Sequence, residues 1–139
     1  MIIKLPRYAG RALAVIMAIA GTHRPLVKSG VGHALLSIEE DRFIERVYRR
    51  SVARDFCDRS ELPLKALMQQ IETCRRVGYA FVRDTVNPAA AIIAAPLPLA
   101  LSTQRLAIGI GGPVERIAAH VPQIGETLLA HVRPLVPAG

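Results

Sequence analysis

Three strand-like segments follow one another between residues 79 and 111 with no helix between them. They cover residues 79–84, 90–97 and 104–111, and short Pro-containing loops separate them. A crossover between parallel strands needs a dozen or more residues, usually a helix, whereas antiparallel strands are joined by short turns. The spacing therefore predicts an antiparallel sheet and excludes a doubly wound parallel one.

Helical patterns precede and follow this block of strands. Short helices are predicted over residues 29–37 and about 38–49, and apolar residues recur with helical spacing from Leu64 to Cys74 in a third helix that begins after Ser60. A last helix is expected over about 119–135. An apolar run at 12–20 is typical of one more buried strand. Because helices and strands are segregated along a chain of 139 residues, we predict one α+β domain, an antiparallel sheet with helices packed on it.

Capping residues predict where the helices begin and end. Ser37 and Glu40 form a capping-box pattern ahead of the second helix. Ser60 is the expected cap of the third helix, with Pro63 in its first turn. Gly78 follows two arginines and predicts a left-handed end to that helix.

The last strand segment, "LAIGIGG", has one face almost without side chains. Leu106, Ile108 and Ile110 share one face, and the other is formed by Ala107, Gly109 and Gly111. Glycine weakens a strand interior unless something must approach the backbone closely. Either a packed helix or a bound small molecule is therefore expected on the bare face.

The start of the first helix, "SGVGHALL", is the second candidate site. The first amides of a helix have no partner within the helix, and the helix dipole attracts anions there. The amides of Gly30, Val31 and Gly32 would then hold a carboxylate. The alternative is a glycine-rich turn with a purely structural role, and the spacing leaves both interpretations open.

The excess of basic residues has two interpretations, a solvated helix face or a patch that binds nucleic acid. The formal net charge is +7, and the densest arginine cluster lies between Arg42 and Arg59. In "DRFIERVYRR" the helical spacing predicts a solvated outer face and an apolar inner face. The outer face comprises Arg42, Glu45, Arg46 and Arg49, and the inner face comprises Phe43, Ile44, Val47 and Tyr48. A nucleic-acid patch usually comes with a helix-turn-helix or a stacking surface, and the sequence shows neither pattern.

Other functional classes find little support in the sequence. Two cysteines do not make a disulfide scaffold, and the four histidines lack ligand spacing for a metal. No convergent acid, base and nucleophile are evident, so we expect no enzyme activity and no cofactor. The apolar runs are shorter than the roughly 20 residues of a membrane span. These observations favour a cytoplasmic protein that does not associate with membranes.

Five segments, in order, resemble the effector-binding domain of IclR-type transcriptional regulators. They are "RPLVKSGVGHALLS", "CRRVGYAFVRD", "AAAIIAAPLP", "LAIGIGGPVERI" and "HVPQIGETLLAHV", and the resemblance covers residues from about 10 to 135. It implies a GAF-like fold, a small organic or aromatic acid as effector, and association into homo-oligomers. Family members also carry a winged helix-turn-helix, which this sequence does not contain.

The resemblance also implies a set of ligand-binding residues. Amides would come from the helix start, and the pocket lining from the strands; the residues are Gly30, Val31, Gly32, Asp84, Ile92, Gly109 and Gly111. The family often has hydroxyl residues where Gly109 and Gly111 stand, and a cysteine where Ile92 stands. Their loss implies a roomier, more apolar site suited to a larger or aromatic ligand.

We therefore interpret residues 1–139 as a single effector-binding and oligomerisation domain, incomplete at its N-terminus and without a DNA-binding domain. DNA would be reached only through a helix-turn-helix elsewhere or on a partner chain. The alternatives are a DNA-binding regulator whose helix-turn-helix lies outside this chain, and a remnant that has lost ligand binding.

Overall fold

A three-stranded antiparallel sheet lies between two groups of helices. The computed structural model describes residues 25–83, 88–98 and 105–135. Strands β1 (Ala80–Arg83), β2 (Ala90–Pro96) and β3 (Ala107–Pro113) are ordered β1-β2-β3. Both pairings are antiparallel, as predicted, and Ile92 in the central strand lies opposite Val82 on one side and Gly111 on the other. The strand expected at 12–20 and the site residue Asp84 lie outside the described residues.

Five α-helices and two short 3-10 turns surround this sheet in the described part of the chain. The helices are α1 (Gly30–Ser37), α2 (Asp41–Ala53), α3 (Leu64–Val77), α4 (Val114–Ala119) and α5 (Val121–Val132). The 3-10 turns cover Leu26–Lys28 and Arg133–Leu135. The predicted α+β class is confirmed.

Two apolar clusters hold the helices in place. The first lies among the Leu26–Lys28 turn, α1, α2 and α3, and includes Val27, Leu36, Ile44, Tyr48, Cys57, Leu67 and Ile71. The second joins one sheet face to α4 and α5, and includes Ala91, Ile93, Ala95, Ile117, Leu128, Leu129 and Val132. On the opposite sheet face, α1 contacts β2, and α3 packs against α1. Helix α1 is therefore enclosed between the sheet and the other helices.

Two of the predicted helix caps are wrong. The Ser37 hydroxyl donates to the carbonyl of Ala34, and α2 begins after Glu40 without a side-chain cap. Ser60 donates its amide and its hydroxyl to the carboxylate of Asp58, and α3 begins after Pro63. Short polar side chains compete for nearby backbone and side-chain partners, so they also form turns. Gly78 does end α3, with φ at 92° as predicted.

Several boundaries also differ from the prediction. Strand β3 is shifted toward the C-terminus and includes Pro113, and the short helix α4 precedes the predicted last helix. Helix α2 begins at Asp41 and extends to Ala53, beyond the predicted end at residue 49. Phe43 was expected inside but is 38% exposed. No helix among the described residues is long and apolar enough to span a membrane.

Candidate functional site

Two amide groups at the start of α1 have no hydrogen-bond acceptor in the described part of the chain, and one of them belongs to the buried residue Gly30. The Ser29 side chain caps the helix, accepting a hydrogen bond from the Gly32 amide at 2.9 Å. The Ser29 carbonyl accepts from the His33 amide, also at 2.9 Å. This leaves the amides of Gly30 and Val31 without an acceptor among residues 25–83, 88–98 and 105–135. Of the three amides predicted for a carboxylate, that of Gly32 is thus already engaged.

Close packing explains why glycine stands at both ends of this three-residue segment. A Cβ atom on Gly30 would lie 2.2 Å from Cγ2 of Ile92, on the central strand. A Cβ atom on Gly32 would lie 2.1 Å from the carbonyl oxygen of Leu26. The two glycines let α1 lie directly against β2 on one side and against the Leu26–Lys28 turn on the other.

The bare face of β3 meets a helix at one glycine and open space at the next. A Cβ atom on Gly109 would lie 2.7 Å from Cδ1 of Ile92 and 3.3 Å from Cγ2 of Val31. At Gly111 the nearest atom to such a Cβ is the carbonyl oxygen of Ala91, at 3.8 Å, and Gly111 itself is exposed. The sequence predicts that a helix or a ligand approaches the backbone of this strand closely. At Gly109 this approach is made by α1 and Ile92, whereas Gly111 is exposed.

Five of the predicted site residues lie together in the structure. They are Gly30, Val31, Ile92, Gly109 and Gly111, joined by the contacts above and by the β2–β3 register. Gly32 faces the Leu26–Lys28 turn instead. We call the five residues the α1–β3 site. Its apolar walls are the Val31 and Ile92 side chains, and its polar groups are the two available amides.

His33, one residue beyond these glycines, is held neutral inside the protein. It is 2% exposed, and Nε2 lies 2.7 Å from the Val27 carbonyl oxygen. Because a carbonyl only accepts, Nε2 carries the proton. Burial lowers the pKa of His33, and the hydrogen bond to Val27 only partly offsets that effect.

Stability should therefore fall as the pH falls below the usual pKa of histidine. The unfolded chain takes up a proton near pH 6.5 that folded His33 resists, so acid favours unfolding between that pH and the lower folded pKa. We expect His33→Gln to flatten the fall in melting temperature between pH 7.5 and 5.5. The exposed His131→Gln serves as the control, and equal slopes for wild type and His33→Gln would contradict the assignment.

Two open clefts in the described part of the chain lie away from the α1–β3 site. One, of about 510 Å³, is at the α1–α2 turn and is lined by Ile38, Glu39, Glu40, Arg42, Phe43, Arg46 and Arg105. The other, of about 570 Å³, follows α2 near Cys57. The sequence analysis missed the first cleft because Arg105 pairs with Glu39 across a long stretch of chain.

The groups that the α1–β3 site presents are backbone amides and aliphatic side chains, which supply no acid, base or nucleophile. Across the ranges that the structure describes, no three His, Cys, Asp or Glu side chains are grouped to hold a metal ion. Cys57 and Cys74 are buried free thiols, and burial raises the pKa of both.

The fold defines a class of protein, an antiparallel sheet with helices packed on both of its faces. The chain belongs to the family described as "Bacterial transcriptional regulator IclR C-terminal", which matches residues 3–135. The resemblance seen in the sequence is thereby confirmed. No match was found among functionally curated protein sequences.

Solved structures agree with this family. The effector domain of the putative transcriptional regulator IclR from Acinetobacter sp. ADP1 is 25% identical, with a TM-score of 0.73; the match covers 88% of this chain and 72% of that one. An IclR family transcriptional regulator from Brucella abortus is 18% identical, with a TM-score of 0.68 and coverage of 88% and 48%. The C-terminal domain of a putative transcriptional regulator from Vibrio cholerae is 22% identical, with a TM-score of 0.65 and coverage of 84% and 67%. This chain thus spans about half the length of the Brucella protein.

Proposed function

We propose that the domain is an effector sensor that binds a small organic or aromatic acid at the α1–β3 site. The observation that carries the proposal is the adjacency of two amides without a hydrogen-bond acceptor among the described residues to the stretch of β3 at which Gly111 is exposed. Gly30 packs on Ile92, and Ile92 lies opposite Gly111 in the sheet. The ligand carboxylate would accept hydrogen bonds from the amides of Gly30 and Val31, at the positive end of α1.

The walls of the site favour an apolar body on that acid. Val31 and Ile92 offer hydrocarbon, and the glycines offer no side-chain donor. A polar acid would lose hydration over Gly111 without replacement, which costs free energy. An aromatic or branched aliphatic carboxylate would instead bury apolar surface against Ile92, and a larger one would turn the Val31 and Ile92 side chains aside.

A melting-temperature screen of aromatic and aliphatic carboxylic acids tests this proposal. A ligand at 100 times its Kd stabilises the fold by about 2.7 kcal/mol, so a clear rise in melting temperature is expected for at least one acid. Gly111→Val should abolish the rise, since its side chain would occupy the space beside Gly111. There a Cβ atom would meet no atom of the described residues, apart from its neighbours in the chain, closer than the Ala91 carbonyl oxygen at 3.8 Å.

Gly112→Ala is the matched control for that variant. It adds a Cβ atom on the opposite face of β3, 3.5 Å from Cδ1 of Ile117, an ordinary contact. Its ligand response should equal that of wild type. No rise with any acid, or a rise that survives in Gly111→Val, would count against the α1–β3 site.

Membership of the family indicates the kinds of partner that the domain has, and not their identity. We propose that the domain associates with a second copy of itself. Sequence-specific contact with DNA would be made by a helix-turn-helix in another segment or on a partner chain. A chain that keeps this fold but has lost ligand binding is the alternative, and the same screen separates the two.

A further inference from the structure

A row of exposed arginines runs along α2 and is not used by the α1–β3 site. Arg42, Arg46 and Arg50 stand four residues apart on the helix, and Arg54 caps its C-terminus one turn later. All four side chains are exposed. We propose that this arginine row contacts the phosphate backbone of double-stranded DNA without reading its sequence.

The four guanidinium groups are free to bind an anion. None of them forms an ion pair or hydrogen bond with another residue in the part of the chain that the structure describes. The acidic residues of α2 are engaged elsewhere: Asp41 accepts from Arg75, and Glu45 pairs with Arg49. The four arginines of the row therefore have no ion-pair partner within the described ranges, and the exposed carboxylates of Glu40 and Asp55 lie near its two ends.

The spacing of the row suits a polyanion. Four residues of α-helix rise about 6 Å, so three intervals extend about 18 Å. One DNA strand carries a phosphate about every 3.4 Å along the axis, so about five phosphates lie within that length. Arginine binds phosphate oxygens in bidentate fashion, which a row of lysines would not do.

The shape of the surface favours DNA over a membrane. The apolar side of α2 is already buried in the protein, with Ile44 0% and Tyr48 1% exposed. The helix therefore has no broad apolar face left to enter a bilayer. At the N-terminal end, Arg42, Phe43 and Arg46 line the 510 Å³ cleft, together with Arg105. Because Glu39 and Glu40 line the same cleft and Arg105 pairs with Glu39, the phosphate contacts are assigned to the exposed arginines of the row and not to the cleft.

DNA is chosen as the partner because the chain belongs to a family of transcriptional regulators. The inference is otherwise independent of effector binding, since the arginine row shares no residue with the α1–β3 site. Loss of the ligand response leaves the DNA result standing, and loss of DNA binding leaves the ligand result standing.

Fluorescence anisotropy with a labelled 24-base-pair duplex of arbitrary sequence tests the proposal on the 139-residue chain. For about four phosphate contacts, log Kobs against log salt should have a slope near −3.6, so binding weakens about 100-fold between 50 and 200 mM salt. The row variant combines four substitutions: Arg42→Gln, Arg46→Gln, Arg50→Gln and Arg54→Gln. We expect it to bind the duplex at least tenfold more weakly at 50 mM salt. Its slope of log Kobs against log salt should lie between about −1 and zero.

A control variant removes the same charge from other exposed positions. It combines Lys65→Gln, Arg76→Gln, Arg83→Gln and Arg133→Gln. Its affinity should stay within threefold of wild type. Equal losses in both variants would show that net charge alone drives binding, and would overturn the proposal.

Asp55 offers a test in the opposite direction. Its carboxylate is exposed beside Arg54, and its backbone is left-handed, with φ at 58°, which asparagine also adopts readily. Asp55→Asn removes a charge that repels phosphate, so we expect severalfold tighter duplex binding. Unchanged or weaker binding would contradict a phosphate at this end of the row.

Competing partners are separated with two further probes, polyglutamate and vesicles containing one quarter anionic phospholipid. The account expects weaker binding to both than to the duplex at equal salt. Tighter binding to either, lost in the row variant, would assign the surface to an acidic protein or to a membrane and overturn the DNA proposal.

Discussion

Replacing Gly32 by alanine is expected to lower the free energy of unfolding by about 2–4 kcal/mol, the sum of overpacking and a damaged cap. The new Cβ atom would lie 2.1 Å from the carbonyl oxygen and 2.6 Å from Cα of Leu26, and 2.6 Å from Oγ of Ser29. The Leu26 atoms in contact belong to the backbone, so a change of side-chain rotamer cannot relieve the clash. Either the Leu26–Lys28 turn moves away from α1, or the Ser29 cap is lost.

The sign of this effect separates packing from local propensity. Alanine is favoured over glycine inside a helix by about 1 kcal/mol, so propensity alone predicts that Gly32→Ala stabilises the protein. Urea denaturation decides between the two. Gly112→Ala, which makes ordinary contacts, should change stability by less than about 1 kcal/mol. A stabilised Gly32→Ala would contradict the close approach of the turn to α1.

The second large effect is expected at Arg75, where we predict that Arg75→Met costs about 2–3 kcal/mol. Arg75 Nε donates to the Ser37 carbonyl at 3.2 Å, and one terminal nitrogen donates to the Glu39 carbonyl at 2.7 Å. The other terminal nitrogen donates to the carboxylates of Asp41 and Glu72. One side chain thus joins the end of α1, the start of α2 and the body of α3.

Two neighbouring variants show which of these bonds matter. The partner carboxylates are 62% and 71% exposed, and such surface pairs contribute little. Asp41→Asn should therefore cost less than about 1 kcal/mol, because the backbone carbonyls keep their donor. Arg76→Met removes the adjacent, exposed arginine and should change stability by less than about 0.5 kcal/mol. Chemical denaturation giving equal values for Arg75→Met and Arg76→Met would contradict this role.

The sheet and helices could be predicted because their signals are local. The absence of a helix within residues 79–111 dictated the antiparallel pairing, and Gly78 ended α3 where its conformational freedom was needed. Cap assignment failed at Ser37 and Ser60, where each hydroxyl had a nearer partner, a carbonyl or the Asp58 carboxylate. Sequence spacing does not decide between such competing short-range bonds.

The candidate site was predictable only in part. The bare face of β3 was evident from alternation, but whether a helix or open space covers each glycine depends on packing between distant segments. In the structure, Ile92 and α1 cover Gly109, whereas a Cβ atom on Gly111 would have no close neighbour among the described residues. The bonds of Arg75 to Ser37 and Glu39 bridge 38 and 36 residues and carry no local signature. Only the folded chain brings these groups together.

The most direct test of the account is an amide ¹H–¹⁵N chemical-shift titration with the acid that gives the largest rise in melting temperature. Glycine amides report on both the proposed site and the rest of the fold. The account predicts large, saturable shifts at Gly30, Val31 and Gly111, with Gly78 and Gly125 unmoved. Shifts that instead concentrate around Phe43 and Arg105, with Gly30 and Gly111 unchanged, would place the ligand in the other cleft and contradict the account.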